Sequence, residues 1–323
     1  MEQRWNNQSM GLSTCPSLLL KNHVPYLVFH NTTFYLLVTS IFFLLPPPPT
    51  ATMNRTLEYP IVSTLQYWLV NHPKILHFSW NQGGTIGSSP RFLSLIVLSY
   101  LFFTYLLSQE LSRRPPLPRR LIKSIAAIYN ITILTLSLTM AVGCSLSVFS
   151  YSPNFQYLIC FPKSTTSAGP LFFWAYMFYL SKIVEFMDTL LIIMSNSVKR
   201  LTFLHVYHHT MVVTMCYICL SSVQSSFPMV LVTNCLVHVL MYTYYLLTSL
   251  GVRPWWKRLV TDCQLLQFWS SFGILALLLY FHFTGPGCSG IWSWCFNMCF
   301  ISTLLVLFTD FHRKSYSPKI KSI

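Results

Sequence analysis

His205, His208 and His209 stand in one apolar run of the chain, and His238 stands in the next. Lys182, Glu185 and Asp188 stand in the run before them. An imidazole titrates near neutral pH, so it can act as base, nucleophile or metal ligand. Side chains three, four and seven apart share a helix face. Lys182, Glu185 and Thr189 therefore line one face, with Asp188 close to Glu185, and His205, His208 and His209 line another. The two following runs carry stripes of the same kind. One holds Asn234, His238, Met241, Tyr242 and Tyr245, and the other holds Thr261, Gln264, Gln267 and Phe268. Charges and imidazoles within apolar runs are costly, which marks them as functional.

Several chemistries use such groups. A di-iron centre needs about eight histidines in several boxes. The chain has ten, but His23, His30, His72 and His77 precede the long apolar runs, and His282 and His312 lie isolated. A mononuclear metal with Glu185 or Asp188 as a further ligand remains open, beside imidazole as base or nucleophile. Blander readings stand next to these. Lys182 and Glu185 could form a structural ion pair, and a lone Gln or Tyr in a span commonly bonds between helices. Four stripes on consecutive runs favour one shared cavity, since polar groups facing lipid would go unsatisfied.

The elements that must position these groups are membrane spans. The chain is 53% hydrophobic and 9% charged, where soluble domains carry about 25% charged residues. Its mean hydropathy is +0.52. The net charge of +14 is spread in short clusters between apolar runs and does not form a nucleic-acid patch. Spans are expected near 92–108, 121–149, 170–195, 203–222, 229–250, 259–283 and 291–311, seven in all. Basic residues alternate along the loops. Arg113, Arg114, Arg119 and Arg120 mark the first loop, Lys199 and Arg200 the third, and Arg253, Lys257 and Arg258 the fifth. The tail holds Arg313, Lys314, Lys319 and Lys321, while the intervening loops hold only Lys163. This places the odd loops and the C-terminus in the cytosol. The opposite face then carries the sequons at Asn31 and Asn54, and Cys160 and Cys288, which could pair there as a disulfide. Cys144, Cys216, Cys219, Cys235 and Cys263 read as small core residues.

Residues 1–52 read as an extension preceding Met53, and their apolar run Phe34–Leu45 is too short to span unaided. Residues 53–91 read as a lumenal, interfacial segment, with Leu65–Val70 a short amphipathic helix. Residues 92–311 form the seven-span body and 312–323 the tail. Lys319 and Lys321 match a dilysine signal for retrieval to the endoplasmic reticulum.

Four strings of residues resemble the signatures of the ELO fatty-acid elongases. They are Lys182-x-x-Glu185-x-x-Asp188-Thr189, His205-x-x-His208-His209, His238-x-x-Met241-Tyr242-x-Tyr244-Tyr245 and Thr261-x-x-Gln264-x-x-Gln267-Phe268. They follow in family order, and the resemblance covers residues 60 to 315. It implies an all-α membrane fold of seven helices, six of them enclosing a narrow acyl-chain tunnel. It implies an acyltransferase, a very-long-chain 3-oxoacyl-CoA synthase that condenses a long-chain acyl-CoA with malonyl-CoA and releases CO2 and CoA. Malonyl-CoA is a co-substrate, and no bound cofactor or metal is expected. By position His208 would take the acyl group as an acyl-imidazole, with His238 its close partner. His205 and His209 would position groups and move protons. Lys182, Glu185, Asp188, Asn234, Tyr242, Gln264 and Gln267 would organise the site. Lys199, Arg200, Arg253, Lys257 and Arg258 are candidates for the CoA phosphates. Acyl length would be set at the closed end, near Phe173, Trp174 and Tyr280. Other elongation-cycle enzymes in the same membrane, and a second copy in a homodimer, are expected partners. The rival reading is a non-enzymatic lipid carrier or transporter using the same cavity.

Overall fold

In the computed structural model of the protein, residues 60–113 and 117–316 are described. The extension 1–52, both sequons, Arg114 and the dilysine pair lie outside them. Long apolar stretches have one way to satisfy their backbone in hydrocarbon, the intrahelical hydrogen bond. The described residues follow that rule: they form helices, with one isolated bridge between Ser79 and Ala168.

Three short elements come first: α1 (Pro60–Gln66), a π-helical turn (Tyr67–Asn71) and α2 (Pro73–Leu76). The long helices are α3 (Pro90–Ser112), α4 (Arg119–Tyr151), α8 (Phe203–Ser221), α9 (Phe227–Ser249), α10 (Lys257–Thr284) and α11 (Ile291–Tyr316). Between them lie α5 (Phe155–Ile159), α6 (Pro170–Val184) and α7 (Phe186–Met194). Among the described residues six helices are long and apolar enough to cross a membrane, and the chain is a multi-pass membrane protein. Starts are marked by local chemistry. Pro90, Pro170 and Pro228 occupy first turns, where a missing N–H is no loss. Ser89 Oγ accepts from Phe92 N at 3.1 Å, and Thr202 Oγ1 accepts from His205 N at 3.3 Å.

The expected span 170–195 is not one helix. It divides at Glu185, whose ψ of −9° tightens the turn. Asp188 N then bonds Glu185 O at 3.0 Å, an i→i+3 closure. No proline or glycine causes this break, and it falls on the polar cluster. Tight turns inside helices commonly mark functional sites.

Neighbouring helices close a ring in the order α4, α6, α8, α11, α10, α9 and back to α4, while α3 packs outside against α7 and α8. The core lies between α4, α6, α8 and α9, with a second cluster between α8, α10 and α11. Where α4 meets α6, Gly143 lies directly against the Trp174 ring. That ring is pinned by a hydrogen bond from Nε1 to Leu69 O at 3.0 Å. Gly143→Ala should therefore force the helices apart and destabilise the fold by about 1–3 kcal/mol. Thermal melting in detergent checks this. Wild-type melting would show that Trp174 yields freely.

The segment before α3 is more than a surface run. Val70, Ile75 and Trp80 are buried. Trp80 sits among the rings of Tyr176, Tyr179 and Tyr217 at about 6 Å. Tyr179 and Tyr217 donate to Gly87 O and Ser88 O, at 3.1 and 3.2 Å. Ile61, Val62, Leu65 and Trp68 remain exposed, as an interfacial segment requires. On the same face of the molecule, Cys160 and Cys288 are joined by a disulfide.

Candidate active site

Lys182 and Glu185 are each 1% exposed. An unpaired charge at that depth is prohibitive, so the pair must be neutralised locally. Lys182 Nζ has three protons and three partners: Glu185 Oε1 at 2.8 Å, Asn234 Oδ1 at 3.1 Å and His238 Nε2 at 3.5 Å. The ammonium also lies 4.4 Å from the centroid of the Phe178 ring. His238 Nδ1 faces Glu185 Oε1 at 3.4 Å. Lys182 can only donate, so it fixes its neighbours. The Asn234 carbonyl turns toward it, leaving the amide NH2 for the cavity. With Nε2 turned to an obligate donor, the His238 ring proton belongs on Nδ1, which approaches the carboxylate at 3.4 Å without forming a hydrogen bond.

A second group gathers around α7. Thr189 Oγ1 lies 2.8 Å from His205 Nε2 and 2.9 Å from the Tyr100 hydroxyl. The His205 ring lies 4.5 Å from that of His209, and Tyr100 stacks on Phe186 at 4.0 Å. His209 is buried, its Nδ1 sealed without a hydrogen bond. Asp188 turns to α9, where Tyr242 donates to its Oδ2 at 2.6 Å. The two carboxylates flanking the break therefore have different partners, Lys182 for Glu185 and Tyr242 for Asp188.

His208 occupies a third environment. It lines a cavity with about 850 Å³ of empty space, its mouth included. Asn234 and Gln267 share that wall, and most of the remaining lining is apolar or aromatic. His208 Nδ1 is sealed and unpaired, and the described residues offer no hydrogen bond to Nε2. No scaffold bond consumes its lone pair. Among the described residues no hydrogen bond joins His208 to His238. Their link is Asn234, which meets Lys182 on one side and the cavity on the other.

The other expected residues are placed as follows. Gln264 does not line the cavity, and its amide reaches Met241 Sδ at 3.6 Å. Tyr245 is 41% exposed, so the α9 stripe turns inward only as far as Tyr242. Lys199, Arg200, Arg253, Lys257 and Arg258 are exposed around the helix ends nearest His208. Arg258 approaches Asp262 at 3.7 Å. His312 is not isolated, because its Nε2 meets Asp262 Oδ1 at 2.9 Å. The expected length-setting residues do not line the cavity. Phe173 packs on Phe78, Trp174 packs on Gly143, and Tyr280 is 61% exposed. Phe172, Leu220 and Phe227 line it instead. Among the described residues no cluster of three or more His, Cys, Asp or Glu side chains could hold a metal ion.

Sequence reasoning missed Tyr100, the one buried aromatic of α3. It also missed Tyr129 of α4, whose ring lies 6.2 Å from that of Tyr242. The amides Gln224 and Asn297 on the cavity wall carried no signal beyond their polarity.

Residues 85–322 match the model of the ELO, GNS1/SUR4, family. Very long chain fatty acid elongase 5 of Xenopus tropicalis is 32% identical over 248 residues, covering 71% of this chain and 76% of the relative. Fatty acid elongase A of Dictyostelium discoideum is 31% identical over 252 residues, with 75% and 89% covered. Very long chain fatty acid elongase 2 of Mus musculus is 30% identical over 235 residues, with 70% and 76% covered.

Proposed function

The chain belongs to the ELO, or GNS1/SUR4, family, and from that premise we propose that it condenses a long-chain acyl-CoA with malonyl-CoA. The products are a 3-oxoacyl-CoA two carbons longer, CO2 and CoA. This is the first step of very-long-chain fatty-acid elongation. The observation that carries the reading is the position of His208. It is a scaffold-free imidazole on the wall of a long apolar cavity, flanked by the amides of Asn234 and Gln267.

His208 Nε2 attacks the acyl thioester carbonyl. The C–S bond breaks, CoA leaves as thiolate, and the acyl group rests on the ring as an acyl-imidazolium whose Nδ1 keeps its proton. Loss of CO2 from malonyl-CoA leaves an enolate. Its carbon attacks the acyl carbonyl and releases the imidazole. Both carbonyl oxygens gain charge on the way, and the Asn234 NH2, aimed by Lys182, is positioned to meet it. His205, His209 and His238 serve proton movement and positioning around this centre. The exposed Lys199, Arg200, Arg253, Lys257 and Arg258 attract the CoA phosphates. The alternation of basic loops supports a cytosolic C-terminus, and the pair Lys319 and Lys321 supports residence in the endoplasmic reticulum membrane. The reductase and dehydratase steps that follow fall to other enzymes of that membrane.

Purified protein given acyl-CoA and labelled malonyl-CoA is expected to release CO2 and 3-oxoacyl-CoA in equal amounts. Acyl-CoA binding or movement across vesicles with no product at any chain length supports the carrier reading instead. Metal analysis of active protein, with chelation as its partner, tests the metal-dependent alternative.

A further inference from the structure

The cavity is apolar along its length and polar at its far end. On α8 its wall is one stripe, His208, Val212, Met215, Cys216, Cys219 and Leu220. From His208 to Leu220 this runs about 18 Å. Just beyond Leu220 the wall continues with Gln224, and α11 adds Asn297. These side chains are 1% and 4% exposed. One end of the Gln224 amide pairs with Cys219 Sγ at 3.1 Å. Its other end, and the whole Asn297 amide, make no hydrogen bond to the described residues.

Gln224 is held there firmly. Val223 and Ser226 on either side of it have φ of 51° and 62°. The left-handed region is an outlier for a β-branched valine, and it persists only where surroundings enforce it. Ser225 Oγ accepts from Phe161 N and donates to Ser289 O, both at 2.9 Å. Ser289 N bonds Phe161 O at 2.9 Å. The Cys160–Cys288 disulfide lies next to both. Gly290 backs the turn, and a side chain there would meet Gln224 Cα at 2.5 Å. Ser222 Oγ donates to Ser293 Oγ at 2.8 Å, one turn of α11 before Asn297.

Buried amides are almost always paired, and an unpaired one carries its full desolvation cost. A chain ending in methyl would leave the Gln224 NH2 and the Asn297 amide without partners. A charged terminus is no better, since no residue lining the cavity carries a counter-charge. A hydroxyl is neutral and can both donate and accept. We propose that this floor is a terminal-group site, where Gln224 and Asn297 bind a hydroxyl at the far end of the acyl chain. ω-Hydroxyacyl-CoA is then the preferred class of long substrate. The proposal rests on the condensing reading above.

The test is competition between ω-hydroxy and plain acyl-CoA of equal length, read as the ratio of kcat/KM. An extended chain advances about 1.25 Å per carbon, so roughly 14 to 16 carbons reach the amides from His208. A preference for the hydroxyl of about tenfold is expected at that length, and none at ten carbons. Gln224→Met or Asn297→Leu, checked for folding by melting in detergent, should bring the ratio at full length to about one. Equal rates for both chains at every length in the wild-type protein overturn the proposal alone. No condensation of any acyl-CoA sinks the condensing reading and this proposal with it. If the variants do not fold, the length dependence in the wild-type protein decides.

Discussion

Replacing His208 by alanine is expected to lower condensation by at least about 10⁴-fold, the scale on which removal of a covalent nucleophile acts. The reason is geometric. Among the imidazoles of the site, only His208 lines the cavity where an acyl thioester would lie. His205 is engaged by Thr189 at 2.8 Å, and His238 faces the Lys182–Glu185 pair at 3.5 and 3.4 Å. Two readouts separate a nucleophile from a positioning residue. Wild-type protein given acyl-CoA alone should release CoA and gain the acyl mass on the peptide containing His208. His208→Ala should do neither, while still melting cooperatively. Retained acylation in that variant moves the nucleophile elsewhere, and the same assay on His238→Ala then tests the next imidazole.

The second large effect concerns the ion pair. Lys182→Met leaves Glu185 buried without its cation, and Glu185→Gln leaves Lys182 without its anion. Breaking one side of such a pair costs about 3–5 kcal/mol. Each single variant should melt far below wild type. The double variant should recover a large part of the loss, because neither charge remains. Activity should not recover with stability. Without Lys182 the Asn234 amide has no donor to orient it, and the NH2 ceases to point reliably into the cavity. A double variant that is stable but poorly active is therefore the expected result. Stability and activity recovering together would reduce Lys182 to a structural ion.

Much of this was legible in the chain. Lys182, Glu185 and the histidines stand out because hydrocarbon tolerates them only when paired or functional. Their mutual spacing then places Lys182 beside Glu185, and Asn234 on the face of His238. The break at Glu185 was not legible. Proline and glycine, the residues that announce a break, are missing there, and the tight turn follows from tertiary contacts. Asp188 stands next to Glu185 in the tight turn, as its spacing implied, but its hydrogen bond to Tyr242 could not be read from the spacing. The floor of the cavity was misread for another reason. Phe172 and Phe173 are equally bulky, but successive residues on a helix point about 100° apart, so size without phase cannot say which lines a tunnel. Gln224 lies in a turn, where no periodicity exists to read. Asn297 is a single polar residue in a span, which ordinarily means one hydrogen bond between helices.

The turn that carries Gln224 has one more implication. The reacting groups sit on helices, His208 on α8 and Asn234 on α9, and cannot change without disturbing the bundle. The half of the floor that carries Gln224 is a short loop fastened to two other loops beside a disulfide. What the enzyme does and what it accepts are thus written in different parts of the chain. A lineage, or an engineer, can rewrite the second while inheriting the first intact.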